Sequence, residues 1–394
     1  MTKQSALLRT SLLGILALAA CQDQATAPTA LAPTSSTRLA AGTSRVSLDG
    51  YSASVLAGAE VFDRITNAGS SVINPADYSC PASTPVNDWL NGKILHTLAV
   101  EPDAFWQLYD LAADQVPLYE ALLFQTPATV QSFGYTGEHT KDVTKTERQL
   151  KSFWDIPSAD IQVVAMHGSA LLDVRQVAAT YEVAYGVPAA DAQFLAEVVR
   201  STLAGSKTMN GGNYPFFTFN AVSTTAQPGL WTNKIVMGDG IMAVFDELGF
   251  GDVAPQAILA HEYGHQVQFN KGYRLAGVTP PERTRFAELN ADAMSAYFLT
   301  HKRGATLNEK RVMQFLEVTY DIGDCQFTSS GHHGTPNQRR AAAQFGFTLA
   351  HEAQKQGQIL TADQFQARFL AAYPSLIAPD AANAAIASIA PATR

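Results

Sequence analysis

His261-Glu262-Tyr263-Gly264-His265 sets two imidazoles four residues apart with a carboxylate beside the first. On a helix, positions i and i+4 share a face, so both rings can reach one metal ion. Glu262 is turned about 100° around the axis from His261 and can address a water on that ion. A catalytic zinc site takes three protein ligands and keeps one position open, so a third ligand is needed. Glu288-Leu289-Asn290-Ala291-Asp292 offers Glu288 as that ligand. Asp292, on the same helix face, then serves as the acceptor that fixes a ligand histidine's far nitrogen. A third block, His332-His333-Gly334-Thr335-Pro336-Asn337-Gln338-Arg339, offers His333, or else His332, as a donor to the oxyanion formed when water attacks a peptide carbonyl. Arg339 can pair with a carboxylate at the site or with substrate. The chemistry these residues spell is zinc-assisted hydrolysis of a polypeptide, with Glu262 as general base.

The elements that must position these groups follow from periodicity. An apolar lead-in, Ala257-Ile258-Leu259-Ala260, places the paired histidines on a buried helix over 254–269. Glu288 and Asp292 fall on a helix over 283–300, where Ala287, Ala291 and Ala293 let it approach the first closely. Three short helices or two fit 85–125, punctuated by Pro102 and Pro117. A strand at 161–166 precedes helices at 169–183 and 189–204. Strands follow at 216–222 and 234–237, then a helix at 241–248. After the two site helices come one at 307–320, a Gly/Ser/His loop at 321–337, and helices at 338–355 and 361–372. This is an α+β pattern, mostly helical with a small mixed sheet.

Residues 214–345 resemble the bacterial neutral zinc metallopeptidases, a zincin-like group, in three ordered blocks: His261 to Gln268, Glu288 to Asp292, and His333 to Arg339. The Glu-x-x-x-Asp spacing of the second block is also similar to that of thermolysin-type gluzincins. The resemblance implies a zincin-like fold and one Zn2+ held by His261, His265 and Glu288. It further implies Glu262 as general base, with His333 at the site. The strand at 216–222 would border the cleft and hold an extended substrate by strand addition, near Asn220-Ala221. Ala293-Met294-Ser295-Ala296-Tyr297 departs from the family's usual Cys, Gly and Trp, at positions expected to be packing. Residues 51–205 match no motif. They are a prodomain, an inhibitory or recruiting module, or the N-terminal half of the fold, with 206–394 as the zincin-like region.

Composition narrows the alternatives. The 394 residues are 46% hydrophobic with a net charge of −8, which excludes wholesale disorder and argues against a nucleic-acid partner, since that needs a basic stripe. There is no Walker-type loop, dinucleotide fingerprint or Gly-x-Ser-x-Gly elbow. His167-Gly168-Ser169 reads as a turn or core histidine, and Phe216, Phe217 and Phe219 as core. Lys3 and Arg9 precede an apolar run over 11–20, too short to span a bilayer, which makes 1–20 a signal peptide. Leu18-Ala19-Ala20-Cys21 resembles the bacterial lipobox, which implies a lipidated Cys21 and membrane attachment through the acyl chains. An Ala/Thr/Ser/Pro tether then runs to about residue 50. The expected location is the bacterial cell envelope: an outer-membrane or periplasmic face if an outer membrane exists. Cys80 and Cys325 remain as a disulfide pair for an oxidising compartment. The rival reading is a non-catalytic zincin-fold lipoprotein that binds or assembles envelope partners.

Overall fold

The structure is a computed structural model that describes residues 73–381, apart from 79, 328, 330, 356, 357 and 380. The signal segment 1–20, the lipidation candidate Cys21, the tether and residues 51–72 lie outside the described residues. Helices α1 (Pro85–Val100), α2 (Pro102–Asp110), α3 (Val116–Phe124) and α4 (Thr140–Phe153) come first, and strand β1 (Gln162–Met166) follows. Then come α5 (Val174–Tyr185), α6 (Ala189–Gly205), β2 (Ala221–Thr224), β3 (Lys234–Gly238) and α7 (Asp239–Glu247). The chain continues through α8 (Ala254–Lys271), α9 (Pro280–Thr300), α10 (Glu309–Asp321), α11 (Pro336–Lys355) and α12 (Ala362–Leu376). The fold is α+β and mostly helical, with one three-stranded mixed sheet in the order β1-β3-β2. β1 runs parallel to β3, with Gln162 opposite Lys234, and β2 runs antiparallel to it, with Ala221 opposite Met237.

Two local expectations need correction. The strand expected at 216–222 is shorter: Pro215–Phe217 forms a 3-10 turn and pairing begins only at Ala221. Pro215 has no amide proton to give a ladder, and Phe216 and Phe217 turn into an aromatic cluster with Phe105, Tyr109 and Tyr214. The helix expected from 169 begins later. Residues 168–172 form a 3-10 turn, and Asp173 caps α5 by accepting from the amides of Arg175 and Gln176 at 3.0 and 3.2 Å. α4 has no counterpart in the sequence reading. Its Lys- and Thr-rich surface hides a helical stripe of Val143, Thr146, Leu150 and Phe153.

Small residues set the spacing of the central helices. A Cβ on Gly264 would lie 3.1 Å from Ala291 Cα, and one on Gly346 would lie 2.0 Å from the Ala293 carbonyl oxygen. Thus α8 packs against α9, and α9 against α11, nearly backbone to backbone. Ser295 donates to the Ala257 carbonyl at 3.0 Å, and Tyr297 Oη accepts from the Leu360 amide at 2.9 Å. Gln266 fastens α8 to the sheet by donating to Ser223 Oγ at 2.8 Å and to the Thr224 and Lys234 carbonyls at 3.1 and 3.2 Å. Lys234, buried on the central strand, gives its ammonium to the Leu122 and Gln125 carbonyls, each at 2.6 Å, and so caps the end of α3. Burial pulls its pKa down to about 8.

Residues before 206 share this architecture. β1 belongs to the sheet, and one apolar core runs from Val86 to Ala381. Thr84 donates to the Asp321 carbonyl at 2.7 Å. Cys80 and Cys325 are joined in a disulfide, 6.1 Å apart at Cα. Among the described residues, no helix is long and apolar enough to cross a membrane.

Candidate metal centre

Helix α8 presents His261 and His265 on one face, and α9 crosses it so that Glu288 meets both rings. The two Nε2 atoms are 3.2 Å apart. Glu288 Oε2 lies 3.3 Å from His261 Nε2, and Oε1 lies 3.3 Å from His265 Nε2. Bonds of about 2.0–2.1 Å to one ion place tetrahedral ligands about 3.3 Å apart, so this triangle has the dimensions a zinc ion requires. Both Glu288 oxygens are buried without a hydrogen-bond partner.

The far nitrogens explain why this triangle faces inward as lone pairs. His261 Nδ1 meets Asp292 Oδ1 at 2.9 Å, and His265 Nδ1 meets Gln268 Oε1 at 3.0 Å. Both partners are acceptors, so each Nδ1 carries a proton and each neutral ring turns its unprotonated Nε2 toward the centre. Two ring lone pairs and a carboxylate repel one another unless a cation lies among them. The donor set therefore fits a divalent ion with nitrogen and oxygen preference. The electrostatics agree. Burial alone would lower the His261 pKa, but the Asp292 and Glu288 carboxylates more than offset that and raise it. Burial would raise Glu288, yet His333, His261 and His265 hold it well below the usual carboxylate range.

Asp292 faces His261 Nδ1 from α9, and Arg339 pairs with that carboxylate. Its Nε and Nη2 clasp Asp292 at 2.8 and 2.7 Å, and Nη2 lies 3.5 Å from Glu288 Oε2. Burial opposes ionisation of Asp292, but Arg339 and His261 keep it below its ordinary value. The chain thus assembles a buried relay from α11 to the candidate metal triangle: Arg339, Asp292, His261.

His333 and His332 both converge on Asp324, a residue that sequence reasoning passed over. Asp324 Oδ1 is 2.6 Å from His332 Nδ1, while Oδ2 accepts from the His333 amide at 2.7 Å and lies 3.2 Å from its Nδ1. His333 is near enough to Glu288 to depress its carboxyl. Its own pKa is raised, because Glu288 and Asp324 outweigh the effect of burial. Asp324 is held low by the same two imidazoles against the upward push of burial. No periodicity marks Asp324, since it acts across a loop of eight residues. Gln268 was legible only as the i+3 neighbour of His265 on a helix.

Glu262 sits on α8 beside His261 and is 1% exposed. The candidate ligands are similarly covered: His261 5%, His265 2% and Glu288 0%. The sequence puts a substrate cleft beside the strand at 216–222; in the fold Glu262 and the three candidate ligands are all buried. β2 is an edge strand of the sheet, yet all four of its residues are buried. Elsewhere, His167 binds Asp239 at 2.7 Å at the ends of β1 and β3, where Gly168 packs against the Gly212 backbone. A second cluster, Glu138, His139 and Asp246, also has ligand atoms close together, but Glu138 and Asp246 are exposed. No family model matches the chain, and neither the curated proteins nor the solved structures contain a match.

Proposed function

We propose that this protein is a zinc-dependent peptidase of zincin-like type, exported and lipid-anchored at Cys21 on the cell envelope. The observation that carries the reading is the triangle of His261 Nε2, His265 Nε2 and Glu288, with edges of 3.2 to 3.3 Å. These three residues would hold the ion. When bound, a zinc ion acidifies water and polarises a carbonyl. Glu262, adjacent in sequence and enclosed, would accept the proton of the attacking water and pass it to the leaving amine. His333, whose imidazolium form is favoured by Glu288 and Asp324, would donate to the oxyanion. Asp324 aims that ring, and Arg339 through Asp292 aims His261. The Cys80–Cys325 disulfide suits an oxidising compartment.

The test uses the chain lacking residues 1–20, zinc-loaded, with an unfolded protein as substrate. Cleavage should disappear on chelation and in Glu262→Gln, which retains zinc. Turnover surviving in Glu262→Gln would overturn Glu262 as the base. One observation favours a second reading, a non-catalytic envelope binding or assembly factor: Glu262 and its ligand neighbours are enclosed. A folded, zinc-loaded parent that cleaves nothing would select that reading.

A further inference from the structure

The two histidines of the triangle are held from behind by partners of different charge, and the second partner is Gln268. Its amide orientation is decided by the neighbouring helix. One end of the Gln268 amide lies 2.8 Å from the backbone carbonyl of Ala287 on α9. A backbone carbonyl can only accept, so that end is the NH2 group. Its other proton goes to Asn290 Oδ1 at 3.0 Å. Asn290 must then present its own NH2 onward, and it donates to Gln366 Oε1 on α12 at 3.0 Å. With the nitrogen end committed twice, only Gln268 Oε1 is left to face His265 Nδ1 at 3.0 Å. That oxygen accepts, so the ring proton sits on Nδ1 and the lone pair on Nε2, toward His261 and Glu288. Gln268, Asn290 and Gln366 are all buried, and bulk water does not compete for these bonds.

Resting on the metal-centre reading above, we propose that Gln268 is the positioning residue for His265. It selects the ring's ligating tautomer because the Ala287 carbonyl on α9 fixes the Gln268 amide, with Asn290 and Gln366 continuing the relay to α12. The neutral partner has a physical reason. Glu262, Glu288 and Asp292 already bring three buried carboxylates to the centre, and Arg339 pairs with Asp292. A further carboxylate behind His265 would oppose the Ala287 carbonyl 2.8 Å away and would have no cation of its own. An amide supplies the acceptor that His265 needs and the donors that α9 needs, at no charge.

The experiment compares the parent with Gln268→Met, which keeps the shape but removes both functions, and Gln268→Glu, which keeps an acceptor for His265. Zinc affinity is read by chelator competition and metal-free stability by urea unfolding. The ring tautomer is read by long-range proton–nitrogen correlation on 15N-histidine protein. Gln268→Met should weaken zinc binding about 10- to 100-fold, the usual cost of losing a ligand's outer hydrogen-bond partner. Gln268→Glu should lose stability but keep more of the zinc affinity than Gln268→Met. A merely structural role would make affinity follow stability in both variants. Zinc binding by folded Gln268→Met within about threefold of the parent would overturn the proposal. If the parent binds no zinc, the metal reading fails separately. The tautomer of His265 in metal-free parent still decides the role of Gln268: Nδ1–H supports it and Nε2–H refutes it.

Discussion

Asp292→Asn is the substitution on which the architecture of the centre makes its sharpest demand. The carboxylate accepts from Arg339 Nε at 2.8 Å and from Arg339 Nη2 at 2.7 Å, and faces His261 Nδ1 at 2.9 Å. Both Arg339 and Asp292 are at most 1% exposed, so no solvent can replace a lost bond. Asparagine has one acceptor oxygen. Whichever way its amide turns, an NH2 group faces a guanidinium or imidazole donor. The guanidinium is then left with Glu288 at 3.5 Å as its nearest anion. Removing one member of a buried ion pair typically costs about 3–5 kcal/mol. Residual attraction to Glu288 puts the expectation toward the lower end, about 3 kcal/mol, for the metal-free protein in urea at pH 7. Zinc affinity should fall a further 10- to 100-fold, or about 1.4–2.7 kcal/mol, because His261 loses its outer acceptor. The control is Arg339→Met. The double variant removes the Arg339–Asp292 pair as a unit, so it should be less destabilised than the two single losses summed, by about 2 kcal/mol. Additive losses, or a cost under about 1 kcal/mol for Asp292→Asn, would refute the buried relay.

Two further outcomes test the frame around the centre. The Cys80–Cys325 bridge closes a sequence separation of 245 residues, for which chain entropy gives an upper limit of about 5.5 kcal/mol at 25 °C. Reduction with dithiothreitol, or Cys80→Ser, should lower the unfolding midpoint clearly, and unreduced digests should contain the linked peptides; an unchanged midpoint would remove its stabilising role. Glu101 accepts from Ser206 Oγ at 2.6 Å and from the Lys207 and Thr208 amides at 3.0 and 2.9 Å, and these bonds outweigh partial burial to bring its pKa to about 2 from 4.5. Because the folded value is depressed, its contribution is fully present above about pH 5 and is lost as the pH falls toward 2. The shift alone would set a ceiling of about 3 kcal/mol, which partial exposure reduces to about 1–2. Glu101→Gln should be less stable than the parent at pH 7 and nearly equal to it near pH 2; a gap that does not close with acid would count against these bonds.

The sequence by itself determined which residues are candidates for a metal triangle and the helices that carry them. His261 and His265 are four residues apart on one helix, as Glu288 and Asp292 are on the next, and that spacing converts directly into a shared face on each helix. Asp292 was legible for the same reason, one turn beyond Glu288. The α+β class followed from periodicity that each segment carries alone. What only the tertiary structure decided lies between segments. Arg339 reaches Asp292 because α11 packs on α9 through Gly346 and Ala293, a crossing no local pattern announces. Asp324 gathers His332 and His333 from within a loop, where spacing carries no directional meaning. The strand expected at 216–222 shortened because the aromatic side chains gained more from the core than from the ladder. The orientation of the Gln268 amide, and with it the tautomer of His265, depends on a carbonyl of a different helix. Enclosure of the centre is likewise a property of packing. Periodicity tells which side of a helix faces inward, and only the assembled neighbours decide whether that side meets a cleft or a core.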